Sequence, residues 1–340
     1  MAQHVTTSYN DLVNLIDMTL VDNNDILQSE AVMSNIFIKH NHPNGTGDTQ
    51  RFEEFDTELY ADDKAQNSNA SIFRSQMGYS IDAVIRRKAF NVEYSYEFKN
   101  YTKSQYDVVS KLTRAALKAQ SNRLDLDLQH IISFAASTSY TNKSGNSISL
   151  TVGDGLALGS TVHTLRASSS TYRSRIANNP QYSTSAFELA LQAFSENNLN
   201  HFGEKQYQKA NVIWSTDNRV VMNAIRRDLH STADVNGINS GVSNELKDEM
   251  RHVVLSKVAT TAAGVPDTSK RNMWGILCAG PEGFQAYYAL NENAHRDDTD
   301  EGSATYDNRK DMWSIPFRIG YSIAVLSGRY FMYSSGDGAA

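Results

Sequence analysis

The chain has 340 residues, 40% of them hydrophobic and 21% charged, with a formal net charge of -6 and a mean hydropathy of -0.48. These values fit a soluble folded protein on the polar side, with room for one large domain or two smaller ones, rather than a disordered or membrane chain. The negative balance argues against tight, sequence-independent nucleic-acid binding by the whole surface. The single cysteine, Cys278, excludes an internal disulfide and the common structural zinc sites.

The first twenty residues lack a basic region followed by an apolar core, so they do not read as a secretory signal. Leu12, Ile16 and Leu20 have the four-residue spacing of a short amphipathic helix. A cluster of turn formers, Asn41 to Asp48, precedes a polar, acidic stretch to about residue 70 that has too few apolar residues to build a core. Alternation then predicts two strands. The first carries Tyr79, Ile81, Ala83 and Ile85; the second carries Phe90, Val92, Tyr94, Tyr96 and Phe98, and the basic run Arg86-Arg87-Lys88 lies between them.

A helix of about residues 103–136 follows, free of glycine and proline. Val108, Leu112, Ala115 and Ala119 mark its first apolar stripe, and Leu124, Leu128, Ile131 and Ala135 its second. Its charged residues Arg114, Lys118, Arg123, Asp125 and Asp127 read as surface pairs. An alternating α and β region comes next. Ser185-Ala-Phe-Glu188 reads as a capping box, Ala210 to Ser215 as a buried strand and Asp217 to His230 as a helix. Residues 231–248 form a long polar loop; Arg251 to Val258 and Met273 to Ala279 read as strands. Near the end, Phe317, Ile319, Tyr321, Ile323 and Val325 alternate with mostly small or polar residues, the pattern of an antiparallel ribbon.

The chemistry-bearing motifs are missing. There is no phosphate loop, no nucleophile elbow and no H-E-x-x-H pair. His40 and His42 are the nearest pair of histidines and read as solvated loop residues; Cys278, in WGILCAG, reads as a small core residue. Asp297 to Asn308 lacks the glutamate that a calcium loop needs at its twelfth position. These readings leave no catalytic residue, no cofactor and no metal site.

The order of elements, and above all FNVEYSYEFKNYTKSQYDVVSKLTRAALKAQSNRLDLDLQHIISFAA from Phe90 to Ala136 with the ending FRIGYSIAVLSGRYFMY, resembles the major capsid proteins of tailed bacteriophages, the Hong Kong phage 97 fold. That resemblance implies an α+β protein. Its parts would be an amino-terminal arm (1–43), an extended β-hairpin loop (44–85), a peripheral domain (86–165 and 285–340) with the long spine helix, and an axial domain (166–284) whose loop at 231–248 faces the capsomer centre. It implies a non-enzymatic shell subunit that forms hexamers and pentamers around double-stranded DNA, built in the host cytoplasm and resident in the virion. Portal, scaffolding and decoration proteins would be its partners, with weak non-specific contact to DNA and none to membrane. With no long, charged coiled-coil segment before the arm, the resemblance leads us to expect no fused scaffold, and so a separate one or none. The shell protein of a bacterial encapsulin, and an enzyme or binding domain with an unrecognised site, are the alternatives. Phe52, Phe55, Leu59 and Tyr60 on the extended loop, with Arg86, Arg87 and Lys88, are the candidate contacts between subunits. On this reading, deleting Thr49 to Ala70 leaves a folded subunit that makes no stable shell.

Overall fold

The computed structural model describes residues 36–42, 47–95, 105–231, 250–296, 305–307 and 312–338. The helical pattern at Leu12 to Leu20 lies outside these residues, as do nearly all of the loop at 231–248 and the acidic loop at 297–308 apart from 305–307.

Two sheets organise the body. The first is built on strand β14 (Met312–Val325). It pairs antiparallel with β12 (Ala286–Arg296) and with β4 (Arg86–Ser95), while β1 (Ile38–Asn41) runs parallel to β12 and β13 (Thr305–Asp307) pairs with the start of β14. The second has the order β10 (Arg251–Val254), β9 (Val212–Ser215), β11 (Trp274–Leu277), β15 (Phe331–Ser334). In β9, β11 and β15 every residue is buried, because both faces of this sheet are covered. Alternate side chains serve two cores: Trp214, Leu277, Phe331 and Tyr333 belong to the larger one, and Ile213, Trp274, Ile276 and Met332 to the smaller. The smaller core is closed by α2 (Thr184–Glu196) and α3 (Arg219–His230). The terminal segment, assigned wholly to the peripheral domain from the sequence, is thus divided. β14 stays in the first sheet and β15 pairs with β11 in the second.

The long helix α1 spans Gln105–Ser133, about 43 Å at 1.5 Å per residue. Its second half buries Leu124, Leu128 and Ile131 as their spacing predicts; the helix ends before the predicted residue 136, and Ala135 is buried in the turn that follows it. Its first half is rotated from the expected stripe. Leu112 is 37% exposed, Ala115 and Ala119 are exposed, and Thr113, Ala116, Leu117 and Gln120 are buried instead. Charge decides the face: Lys111, Arg114 and Lys118 fall beside Ala115 on the helix wheel, and their solvation turns that side outward. Asp125 and Asp127 are buried, not surface residues. Asp127 accepts hydrogen bonds from Tyr321 at 2.6 Å and pairs with Arg123 at 2.9 Å and Lys88 at 3.6 Å. Asp125 pairs with Lys257 at 2.8 Å. These bonds tie the middle of α1 to the first sheet and to the segment after β10.

The cap of α2 is Ser183, two residues ahead of the predicted box; its hydroxyl accepts from the Ala186 amide at 3.2 Å. Small hairpins β5–β6 (Ser139–Thr141, Ser147–Ser149) and β7–β8 (His163–Thr164, Thr171–Tyr172) complete the described strands, together with the hairpin of β2 (Thr49–Thr57) and β3 (Ser75–Val84). Among the described residues, no helix is long and apolar enough to cross a membrane.

Candidate functional site: a hairpin with a buried ionic root

Strands β2 (Thr49–Thr57) and β3 (Ser75–Val84) pair antiparallel, with a register shift between Glu53 and Phe55. In β2 the burial alternates with period two: Phe52, Glu54 and Asp56 are inward, and Arg51, Glu53, Phe55 and Thr57 outward. The root of the hairpin therefore drives one aromatic ring and two carboxylates into the body.

Phe52 is 4% exposed. It stacks on Tyr287 with ring centroids 5.2 Å apart and meets the edge of His40 at 5.7 Å. With Ala83, Ala289, Ala324 and Leu326 it forms a third apolar cluster on the outer face of the first sheet. This cluster buries Ala324 on the side of β14 that the alternation pattern left to solvent. Phe52 is therefore not the contact between subunits that the sequence leads one to expect: it is consumed within its own chain, because the β2 pleat points it at the sheet.

Glu54 and Asp56 meet Arg329, on the turn between β14 and β15, and His201. All four are buried. Arg329 Nη1 lies 2.8 Å from Asp56 and donates to the Leu199 carbonyl at 2.9 Å, while Nη2 bonds Glu54. His201 Nε2 is 2.9 Å from the other oxygen of Glu54, and the His201 amide donates to Asp56 at 2.7 Å. The Arg166 amide donates to His201 Nδ1 at 3.4 Å. Burial works to raise the Glu54 pKa, but the Arg329 charge and the bond from His201 outweigh it and hold the carboxyl at about 2. Burial works equally against the Arg329 charge, and the Glu54 and Asp56 carboxylates more than compensate, raising its pKa.

The fit is tight at Gly78, on β3. A Cβ there would sit 2.7 Å from His201 Nε2 and 2.9 Å from Glu54 Cγ, so no larger residue clears the cluster. Arg166 Nη1 donates to the Gly78 carbonyl at 2.6 Å. Further out, Asn200 donates to the Thr57 carbonyl at 3.0 Å, the Leu59 amide donates to Glu204 at 2.8 Å, and Tyr60 donates to the Lys205 carbonyl at 3.1 Å.

Beyond the root the character reverses. Phe55 is 68% exposed, Leu59 47%, Tyr60 62%, Ile72 84% and Phe73 67%. Met77, the cross-strand partner of Phe55, is exposed too. Residues 58–74 hold no helix or strand. A concentration of large apolar side chains in water marks an interaction surface. Phe55, Leu59 and Tyr60 are where subunit contacts were expected; Ile72 and Phe73, on the return side, escaped the sequence reading. So did Glu54, Asp56, His201 and Arg329, although F-x-E-x-D at period two places both acids on the face of Phe52. The deletion of Thr49 to Ala70 also changes meaning. It removes Phe52, Glu54 and Asp56 from the body and leaves Arg329 buried without its carboxylates, so it does not leave the subunit intact.

The basic run is not one patch. Lys88 is held by Asp127, and Arg86 lines a cavity of about 310 Å³ with Asp82, Ile131, Tyr140 and Tyr321; of the three, Arg87 alone is exposed. His42 is buried, with Nδ1 2.6 Å from Gln50 and Nε2 3.1 Å from the Gly47 carbonyl, so it belongs to the fold and not to solvent. Cys278 is buried in contact range of Gln208, its thiol pKa raised by burial and by Glu282. Among the described residues, no three His, Cys, Asp or Glu side chains gather as a metal site would need.

No protein-family model matches the chain, and no curated relative matches it. Solved structures do. A chain from Mycobacterium phage Patience superposes with a TM-score of 0.50 at 10% identity, covering 97% of this chain and 89% of that one. The capsid of Myoviridae phage XM1 gives 0.49 at 10% identity over 89% and 90% of the two chains, and Gordonia phage Cozz gives 0.46 at 12% over 89% and 85%. At such identity the likeness speaks to architecture alone: the chain shares its fold with the solved chain from Mycobacterium phage Patience.

Proposed function

We propose that this chain is the major capsid subunit of a tailed phage, assembling through hexamers and pentamers into an icosahedral shell around double-stranded DNA. The observation that carries the reading is the hairpin: its root is fixed to the body by a buried ionic cluster, while its tip presents Phe55, Leu59, Tyr60, Ile72 and Phe73 to solvent. An apolar tip on a rigid root suits a neighbouring copy, where many weak, symmetric contacts sum to a closed shell. The fold shared with a chain from Mycobacterium phage Patience supports a phage origin for the same role. In this reading residues 44–85 are the extended loop, 86–165 with the strands after 285 the peripheral domain, and 166–284 the axial domain, which also receives β15. Arg87 and the tip residues are the contacts between subunits. The subunit does structural work and no catalysis, in the virion after assembly in the host cytoplasm, with portal, scaffolding and decoration proteins as further partners.

The test is electron microscopy and sedimentation of the expressed chain, alone and with its neighbouring genes. Closed shells built on hexamers and pentamers are expected. A chain that stays monomeric in every condition, scaffold supplied, overturns the proposal.

A further inference from the structure

One face of the long helix carries a charge pattern that the shell reading leaves unused. Between Asp107, one turn before Lys111, and Asp125 the sequence has four basic residues and no acidic one, in a chain whose net charge is -6. Lys111, Arg114 and Lys118 are exposed, and none of the three makes a hydrogen bond or ion pair among the described residues. At 100° per residue they fall within about 60° of one another around the axis, and they span about 10.5 Å along it. Arg123 stands apart from them, committed to Asp127.

The surroundings of the stripe narrow its occupant. Ala115, Ala119 and Asn122 flank it and are exposed, so the surface is low and the three cations stand clear of it. Among the described residues on this part of the helix, its large apolar neighbour is Leu112, 37% exposed at the edge. Protein interfaces are anchored by buried aromatic and aliphatic residues, and on this chain those sit on the hairpin tip. A straight row of cations without apolar anchors matches a linear polyanion. Double-stranded DNA carries one charge per roughly 1.7 Å of axis, so a row of this length faces about six phosphate charges.

We infer that Lys111, Arg114 and Lys118 form a phosphate-contact stripe through which the subunit touches double-stranded DNA without reading its sequence. The inference rests on the shell reading for the identity of the polyanion. Three contacts per subunit make a weak site, and an array of copies in one shell multiplies it. The contact is electrostatic, so its strength falls with salt in proportion to the phosphates engaged.

The experiment compares the full chain with the triple variant K111Q/R114Q/K118Q and the charge-keeping variant K111R/K118R, using a fluorescent 20-base-pair duplex titrated at 50 to 200 mM NaCl. Loss of three contacts is expected to reduce the slope of log affinity against log salt by about 2.7. Equivalently, about 40-fold of the wild-type loss of affinity between those salt concentrations disappears. The charge-keeping variant is expected to retain the wild-type slope, and a second duplex of unrelated sequence to bind equally. Unfolding curves and shell formation of the triple variant should match the parent. An unchanged slope overturns the inference, as does a triple variant that binds DNA normally but assembles no shell, which would make the stripe a contact between protein copies. Failure of the parent chain to form shells strikes the proposed function alone, since the DNA titration is read on the subunit.

Discussion

Phe52 and Phe55 lie three residues apart on one strand and have opposite fates. Phe52 points inward at the root of the hairpin, stacked on Tyr287; Phe55 points outward and is 68% exposed. The same division runs through the whole segment. The root places Glu54 and Asp56 against a buried arginine; the tip places Leu59, Tyr60, Ile72 and Phe73 in water. The usual rule is inverted, with acids inside and large apolar groups outside. A protein that folds this way fixes the base of the hairpin in its own body and leaves the apolar surface beyond it exposed, the surface that the proposed function assigns to a neighbouring copy.

The contrast is broken most severely at Arg329. Arg329→Ala leaves Glu54 and Asp56 buried without their cation, a change that costs about 3–5 kcal/mol. Equilibrium denaturation should show that loss, and a value within 0.5 kcal/mol of the parent would remove the cluster from the account. Phe52→Ala empties a buried aromatic site and should cost about 3–5 kcal/mol, whereas Phe55→Ala should change stability by less than about 0.5 kcal/mol. Equal effects of the two would erase the distinction between root and tip. Gly78→Ala forces a methyl group into His201 and Glu54 and should destabilise by about 1–3 kcal/mol, the range for overpacking.

Acidity sharpens the comparison on a smaller scale. Glu54 has its pKa lowered from 4.5 to about 2 in the fold, so its ionised form is favoured by folding. The stability it contributes is fully present above the unfolded value and is lost as pH falls from about 4.5 toward 2. The gap in unfolding free energy between parent and Glu54→Gln should therefore shrink across that window and stay constant from pH 5 to 7. A gap that is independent of pH down to 2 would mean the carboxylate charge is not what the root depends on.

Much of this fold could be read from the chain. The second strand, the long helix, the buried VIWS strand and the ribbon at the end each carry a hydrophobic period that outlasts its local context. The errors share a cause. On α1, Leu112, Ala115 and Ala119 suggested an apolar stripe, but alanine is at home on either face, and the placement of Lys111, Arg114 and Lys118 chose the other. Asp125 and Asp127 looked like surface charges because their partners, Lys257, Tyr321 and Lys88, lie far away in sequence. Glu54 and Asp56 were hidden in the same way, since Arg329 is more than 270 residues distant. Periodicity reveals which face is buried when that face is apolar. It is silent when a face is buried by ion pairing, because the pairing partners are contributed by topology. The tip was legible for the converse reason: with so few apolar residues nearby, Leu59 and Tyr60 had no core of their own to join.

The central claim is that the hairpin tip serves another copy of the chain and the root serves its own. The most direct test replaces Leu59, Tyr60, Ile72 and Phe73 together by serine, then measures thermal unfolding of the subunit and counts particles by electron microscopy from the same preparation. The account predicts an unfolding midpoint within a few degrees of the parent and no closed shells. Normal shells would contradict it, and so would a subunit that unfolds, which would place the tip in its own core.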